Sequence, residues 1–275
     1  MLITGCSTGI GRATAERLAA KGHTVYATAR RPESIADLEA KGCKTLALDV
    51  CDEASMQAAV DQVVAEQGAI GALVNNAGYS QSGALETLDM ADVRRQFETN
   101  VFGLLRMSQL CLPSMREQGW GRIVNISSMG ANFVFPGGGI YHATKYAVDA
   151  MSDALRFEVK GFGVGVVIIQ PGLIVTEFGE TAAAVTPSSD DGPYAKFNAA
   201  VAKTTAEAYK GPMAKLGAGP EAVAKVVERA ITARRPRIRY RVTASARVLL
   251  GMRAVMNDRM WDLMVKSQFP QPGKS

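Results

Sequence analysis

Leu2-Ile3-Thr4-Gly5-Cys6-Ser7-Thr8-Gly9-Ile10-Gly11 opens the chain with a short apolar run and a turn holding three glycines. Ile10, Ala13 and Leu18 then mark the buried stripe of a helix. A strand, a glycine turn and a helix succeed one another in that order. Glycines let the backbone approach a pyrophosphate closely, and a helix N-terminus offers unpaired N–H groups and a positive dipole end. Taken alone, the pattern also fits a plain βα turn, so its weight depends on the rest of the chain.

Working outward, short β-branched runs alternate with longer amphipathic stretches, a pattern of repeated βα units on a parallel sheet. Strands are expected at Leu2 to Thr4, Thr24 to Thr28, Thr45 to Leu48, Ala72 to Val74, Arg122 to Ile126, Gly165 to Ile169 and Arg237 to Tyr240. Helices are expected at Ile10 to Ala20, Ile35 to Ala40, Ala54 to Glu66, Met90 to Gln118, Tyr141 to Lys160 and Glu221 to Ala233. The expected fold is therefore α/β: a Rossmann-type, doubly wound, parallel seven-stranded sheet flanked by helices, binding ligands beyond the carboxyl ends of its strands. Residues 1–235 would form this domain. Residues 179–219, rich in Pro and Gly (Pro187, Gly192, Pro193, Gly211, Pro212, Gly217, Gly219), break the rhythm and read as a substrate-binding loop or lid. Residues 236–275 read as a helical extension packed on the same domain, with two short helices on Val248, Leu249, Met252, Val255 and Met256 and on Trp261, Met264 and Val265. This extension could cover the substrate cleft, pack on a neighbouring subunit or lie on a membrane surface.

At 275 residues, 47% hydrophobic and 21% charged, the composition is that of an ordinary globular chain. No apolar run approaches the ~20 residues that span a bilayer, and the chain does not open with a signal-like segment, so a cytoplasmic location is expected. Met1 stands almost inside the first strand, which leaves open whether further residues precede it. Cys6, Cys43, Cys51 and Cys111 have no metal or framework spacing and read as free thiols; no metal is expected. The net charge of +5 is concentrated from Arg234 onward, where ten Lys and Arg face only Asp258 and Asp262. Such a tail reads first as a solvated, packed surface, and no nucleic-acid partner is expected.

Two further patterns concern chemistry. After the second strand the chain reads Thr28-Ala29-Arg30-Arg31, where a site for NAD(H) would carry an acid for the ribose 2′-hydroxyl. Two guanidiniums in its place suit a 2′-phosphate, so NADP(H) is expected to be preferred over NAD(H). Tyr141 and Lys145 lie four apart on one helix face, and an ammonium beside a phenol favours the phenolate. His142 points about 100° away from that face and is not expected to be the acid/base; His23 has no assigned role.

Thr4-Gly-x-x-x-Gly-x-Gly11, Asn75-Asn76-Ala77-Gly78, Asn100, Ser127-Ser128, Tyr141-x-x-x-Lys145 and Pro171-Gly172 together resemble the short-chain dehydrogenase/reductase family in order and separation, over about residues 1 to 235. The resemblance implies a catalytic tetrad. Tyr141 would be the general acid/base, Ser128 would bind the substrate oxygen, Lys145 would lower the tyrosine pKa and hold the nicotinamide ribose, and Asn100 would anchor a relay water. It further implies a cofactor site on Gly5, Ser7, Thr8, Gly9, Ile10 and Gly11, with Arg30 and Arg31 on the phosphate. Asp49 and Val50 would meet adenine, Asn76, Ala77 and Gly78 would line the cofactor, and Pro171, Gly172 and Thr176 would sit by the nicotinamide, with Tyr141 and Lys145.

Plainer roles stand beside several of these. Ser128 could cap a turn before Gly130, Ser127 is a rival hydroxyl, and Asn100 could bond backbone in a helix; Asp49 and Thr176 could each cap a helix. Short segments look most like the NADP(H)-linked 17β-hydroxysteroid and retinol dehydrogenase branch, which implies a small lipophilic carbonyl or alcohol substrate. Phe133, Val134, Phe135 and Phe178 would suit its pocket. The family likeness also implies a homodimer or homotetramer through the two long helices. Two other functions stay open: a 3-oxoacyl-thioester reductase, for which Arg94 and Arg95 are the only basic candidates, and an NADP(H)-sensing binding protein.

Overall fold

Leu2 and Ile3 send their side chains to opposite faces of one central strand, and the layers of the molecule follow from that alternation. The computed structural model describes residues 1–184, 192–208 and 212–273. Its strands are β1 (Leu2–Ile3), β2 (Tyr26–Ala29), β3 (Lys44–Ala47), β4 (Ala72–Asn75), β5 (Gly121–Ile126), β6 (Val164–Pro171) and β7 (Arg239–Val242). They form one parallel sheet in the order β3-β2-β1-β4-β5-β6-β7. The order reverses between β1 and β4, where Ile3 pairs with Ala27 on one side and Val74 on the other. A crevice opens at such a reversal, and the glycine turn after β1 feeds directly into it.

The helices are α1 (Gly9–Ala20), α2 (Glu53–Gln67), α3 (Met90–Phe97), α4 (Gly103–Glu117), α5 (Gly139–Glu158), α6 (Phe178–Ala184), α7 (Ala195–Ala208), α8 (Pro220–Thr232), α9 (Ala244–Val255) and α10 (Asp258–Lys266). On one face, Ala15 and Leu18 of α1 and Val223 and Val227 of α8 pack on Ile3, Val74, Val124 and Val167. On the other, Met56, Val60 and Val63 of α2 and Met107, Cys111 and Met115 of α4 pack on Leu2, Leu73 and Ile123. The central strands are thus buried on both faces, as a covered parallel sheet requires, while the edge strands β3 and β7 stay partly exposed.

Three expectations change. The helix expected from Met90 to Gln118 is interrupted by a π-turn at Glu98–Phe102, and the segment expected at Ile35 to Ala40 is a 3₁₀ helix, Pro32–Lys41. Residues 179–219 are largely helical where described: α6, α7 and a 3₁₀ turn at Pro212–Leu216. Pro187, Ser188, Ser189 and Gly211 lie outside the described residues.

The two expected C-terminal helices are α9 and α10, capped by Thr243 and Asn257, whose side chains accept from Ala246 N and Met260 N. Among the described residues no helix is long and apolar enough to cross a membrane, and no cluster of His, Cys, Asp and Glu is placed to hold a metal.

Candidate active site

The glycine turn is built by close approach. Gly5 has φ +70°, and a Cβ at Gly11 would stand 2.3 Å from Gly5 O and 2.5 Å from Asn76 Nδ2. Asn76 clamps the turn: its Nδ2 donates to Thr4 O and Gly5 O, both at 2.9 Å, while the Asn76 and Ala77 amides donate to Thr4 Oγ1 at 3.0 Å. The loops after β1 and β4 are therefore one rigid unit. Thr8 begins α1 without its side chain capping it, so the first amides of the helix face the crevice.

One cavity of about 1370 Å³ runs along these carboxyl ends. Gly5, Ser7, Thr8, Gly9 and Ile10 line it at one end, with exposed Arg30 and Arg31 at the rim beside Asp49 and Val50. Asn76, Ala77 and Gly78 line its floor; Ser128, Tyr141 and Lys145 stand further along, with Pro171, Gly172 and Thr176 opposite the glycine turn. Gly11 and Asn100 lie behind this lining rather than in it. Asp49 does not cap α2; it accepts from Cys51 N at 3.0 Å, and Asp52 is the cap, accepting from Ala54 N and Ser55 N. Thr176 does cap: its Oγ1 accepts from Phe178 N at 3.3 Å as α6 begins, and its methyl lies 3.3 Å from where a Gly9 Cβ would stand.

Tyr141 and Lys145 occupy successive turns of α5, with Lys145 Nζ 5.7 Å from the centre of the Tyr141 ring. Lys145 is buried and donates to Ile126 O at 2.9 Å. Burial pushes its ammonium down to about 8, against a smaller opposing pull from Asp149 one turn further on. Behind it sits Asn100, turned inward by the π-turn. Its Nδ2 donates to Tyr79 O at 2.9 Å and Thr144 Oγ1 at 3.1 Å, and its Oδ1 accepts from Tyr79 N at 3.1 Å. A single extra residue in a helix re-aims one side chain, and such π-turns cluster at functional sites. A Cβ at Gly78 would fall 3.0 Å from Asn100 Oδ1 and 3.8 Å from Lys145 Nζ, which ties the cofactor-side loop to this pair.

Ser128 Oγ accepts from Gly130 N at 3.0 Å and so does cap the short turn Met129–Ala131, while also facing the cavity. The two roles are compatible. A hydroxyl that accepts from backbone keeps its own proton to donate. His142 has both ring nitrogens on backbone: Nδ1 meets Gly130 O at 2.8 Å, and Nε2 accepts from Phe135 N at 3.2 Å. Burial holds it below the usual histidine pKa, and it serves as a strut for the loop of residues 130–138.

That loop, with the C-terminal extension, makes the apolar end. Phe133 and Phe135 line the cavity, and Phe178 lies 5.6 Å ring to ring from Tyr141; Val134, expected with them, instead points to solvent. Val248, Leu249, Met252, Met264, Gln268 and Phe269 complete the wall. Sequence pattern does not single out Gln268, Phe269 or Thr144 as site residues. Nothing local distinguishes them, because their place comes from contacts far along the chain. Trp261 pins the extension by stacking on Phe135 at 5.7 Å, packing on Phe133 at 5.3 Å and donating from Nε1 to Val134 O at 3.2 Å. Trp261→Ala is expected to cost about 3 kcal/mol. It should release α10, seen as faster tryptic cleavage at Arg259 and Lys266 with cofactor binding intact.

The family model for short chain dehydrogenases matches residues 1–185. The chain belongs to this family. As a short-chain dehydrogenase it is an oxidoreductase, and its relatives extend past the matched segment into the C-terminal extension. It is 34% identical, over 95% of its length and 94% of the other, to an NADPH-dependent 3-dehydrocapnine reductase of Ornithobacterium rhinotracheale. It is 42% identical to a 3-ketodihydrosphingosine reductase of Bacteroides thetaiotaomicron over 65% of each chain. The crystal structure of a short-chain dehydrogenase from Streptomyces avermitilis superposes with a TM-score of 0.81 at 34% identity, covering 97% of this dehydrogenase and 94% of that chain.

Proposed function

We propose that this dehydrogenase uses NADP(H) in preference to NAD(H) to interconvert a secondary alcohol and a ketone on a small lipophilic substrate, with Tyr141 as acid/base. The observation that carries the reading is the burial of Lys145 beside the Tyr141 ring at the junction of a glycine-lined cradle and an apolar cavity. Residues 1–235 form the catalytic unit in this reading, and residues 236–275 close its substrate end.

The cradle suits a dinucleotide. Gly5, Gly9 and Gly11 leave room where side chains would collide, and α1 offers free amides. Ser7, Thr8 and Ile10 would hold its phosphates, Asn76, Ala77 and Gly78 would line its adenine and nicotinamide side, Asp49 and Val50 would meet its adenine, and Pro171, Gly172 and Thr176 its nicotinamide. When bound, NADPH supplies the hydride. The remaining work falls to side chains of this chain. Ser128 donates a hydrogen bond to the ketone oxygen, and Tyr141 transfers its phenol proton to that oxygen. Lys145, held on Ile126 O, keeps a positive charge near the phenol and so eases the proton's departure. Asn100 orders the backbone at Tyr79, and in this reading it anchors the water that relays protons from Lys145.

Arg30 and Arg31 line the cavity rim with no ion pair among the described residues, which supports the reading that their guanidiniums meet a 2′-phosphate. Charge-assisted bonds of this kind are strong, so Arg30→Ala/Arg31→Ala is expected to weaken NADPH binding about a hundredfold. NADH binding should change little, and fluorescence titration with both nucleotides reads the difference.

For the substrate, the apolar wall and the two relatives named for reducing 3-keto or 3-dehydro compounds favour ketone reduction on a lipophilic molecule, steroid, retinoid or long-chain. The 3-oxoacyl-thioester reading has less support: Arg94 is exposed and Arg95, at the cavity rim, is paired with Asp92. Exposed Phe102 and Phe157, the latter 82% accessible, support a homodimer or homotetramer through the helices around α4 and α5. The test is NADPH consumption against long-chain 3-ketones, steroid ketones, retinal and acetoacetyl thioesters, repeated with NADH. Turnover of the apolar ketones with NADPH preference is expected. Tight NADPH binding without turnover of any carbonyl would point instead to a sensor.

A further inference from the structure

α9 and α10 each leave one face in solvent, and on both that face mixes bulky apolar side chains with cations. On α9, Val248, Met252 and Val255 recur at four- and three-residue steps, Arg247 flanks them, and the helix has no carboxylate. On α10, Arg259, Met260, Leu263 and Lys266 share the outward face while Trp261 and Val265 turn inward. Asp258 is paired with Arg253, and Asp262 lies at the edge. Val255 is 82% and Leu263 67% accessible. The two faces meet at the cavity mouth: Val248 and Met252 line the cavity themselves, and Met260 lies one turn from Met264, which also lines it.

We propose that these faces of α9 and α10 dock on an anionic lipid bilayer, with Val248, Met252, Val255, Met260 and Leu263 entering the headgroup boundary. Arg247, Arg259 and Lys266 meet lipid phosphates, and the cavity mouth opens toward the lipid. Entry of substrate from the bilayer rests on the lipophilic-substrate reading above; the docking itself does not. Charge decides between occupants. A second copy seated on this face would bring three like cations together, and a nucleic acid would meet the cations but leave the bulky apolar side chains in water.

The test is cosedimentation of the full chain with phosphatidylcholine vesicles, with and without phosphatidylglycerol. Binding is expected with phosphatidylglycerol, and should fall roughly tenfold in Val255→Glu/Leu263→Glu and in Arg247→Ala/Arg259→Ala. Both variants should keep parental NADPH-dependent reduction of a water-soluble ketone. Absence of binding to anionic vesicles, or both variants binding as the parent does, overturns the docking. So does a dimer that Val255→Glu/Leu263→Glu dissolves, since the face is then a contact between copies. Vesicle binding that persists while no lipophilic ketone is reduced supports the docking and overturns the substrate reading with its entry route.

Discussion

Tyr141→Phe is expected to lower kcat/KM for ketone reduction by about a thousandfold, within the range general acid/base catalysis contributes, with NADPH affinity unchanged. The phenol oxygen is all that is removed. The ring keeps its contacts with Phe178 and His142, so the cavity wall survives and the loss falls on proton transfer. Steady-state kinetics on the best ketone, beside NADPH titration, checks both halves. A variant retaining more than a tenth of parental turnover would remove Tyr141 from the acid/base role.

Lys145→Met is expected to abolish most activity and yet make the protein more stable. Burial lowers the lysine from 10.5 to about 8 in the folded chain. A group depressed in this way is protonated in the unfolded chain but resists its charge in the folded one. The penalty is fully present below pH 8, shrinks as pH rises through 8, and is gone above 10.5. At neutral pH it amounts to about 3 kcal/mol, and loss of the bond to Ile126 O returns about 1, so the variant should gain about 2 kcal/mol. Urea unfolding at pH 7 and again near pH 10 should show that advantage and then its disappearance. The same ionisation predicts that wild-type ketone reduction declines as pH rises through about 8, because the charge beside Tyr141 is then lost.

Local pattern carries most of the sheet. All seven strands are legible because β-branched runs such as Val164–Pro171 alternate with amphipathic stretches, and the glycine turn comes directly after β1. The separation of Ser128, Tyr141 and Lys145 along the chain is enough to bring them to one cavity, since each follows a strand end or sits on the helix behind it. The π-turn at Glu98–Phe102 is not legible: it inserts one residue into an unbroken helical pattern, and its effect, turning Asn100 inward, depends on Tyr79 and Thr144 from other segments. Nor does periodicity say which groups α9 and α10 cover, because a stripe of apolar residues names a buried face without naming its partner. Trp261 against Phe133 and Phe135 is a contact between residues about half the chain apart. By residue type Ser128 and Thr176 suit either capping or lining the site, and each does both.

The cavity is bounded by residues from Gly5 to Phe269, so nearly the whole chain separates its first wall from its last. During synthesis the two ends of the site therefore mature at different times. The cradle needs the sheet and α8, whose Val223 and Val227 cover the face beneath the glycine turn, and these leave the ribosome before α9 and α10. The apolar end stays open until α10 reaches Phe133 and Phe135, leaving those aromatic rings in water meanwhile. For that interval the nascent protein holds a finished nucleotide cradle beside an uncovered greasy cleft, the surface on which chaperones act.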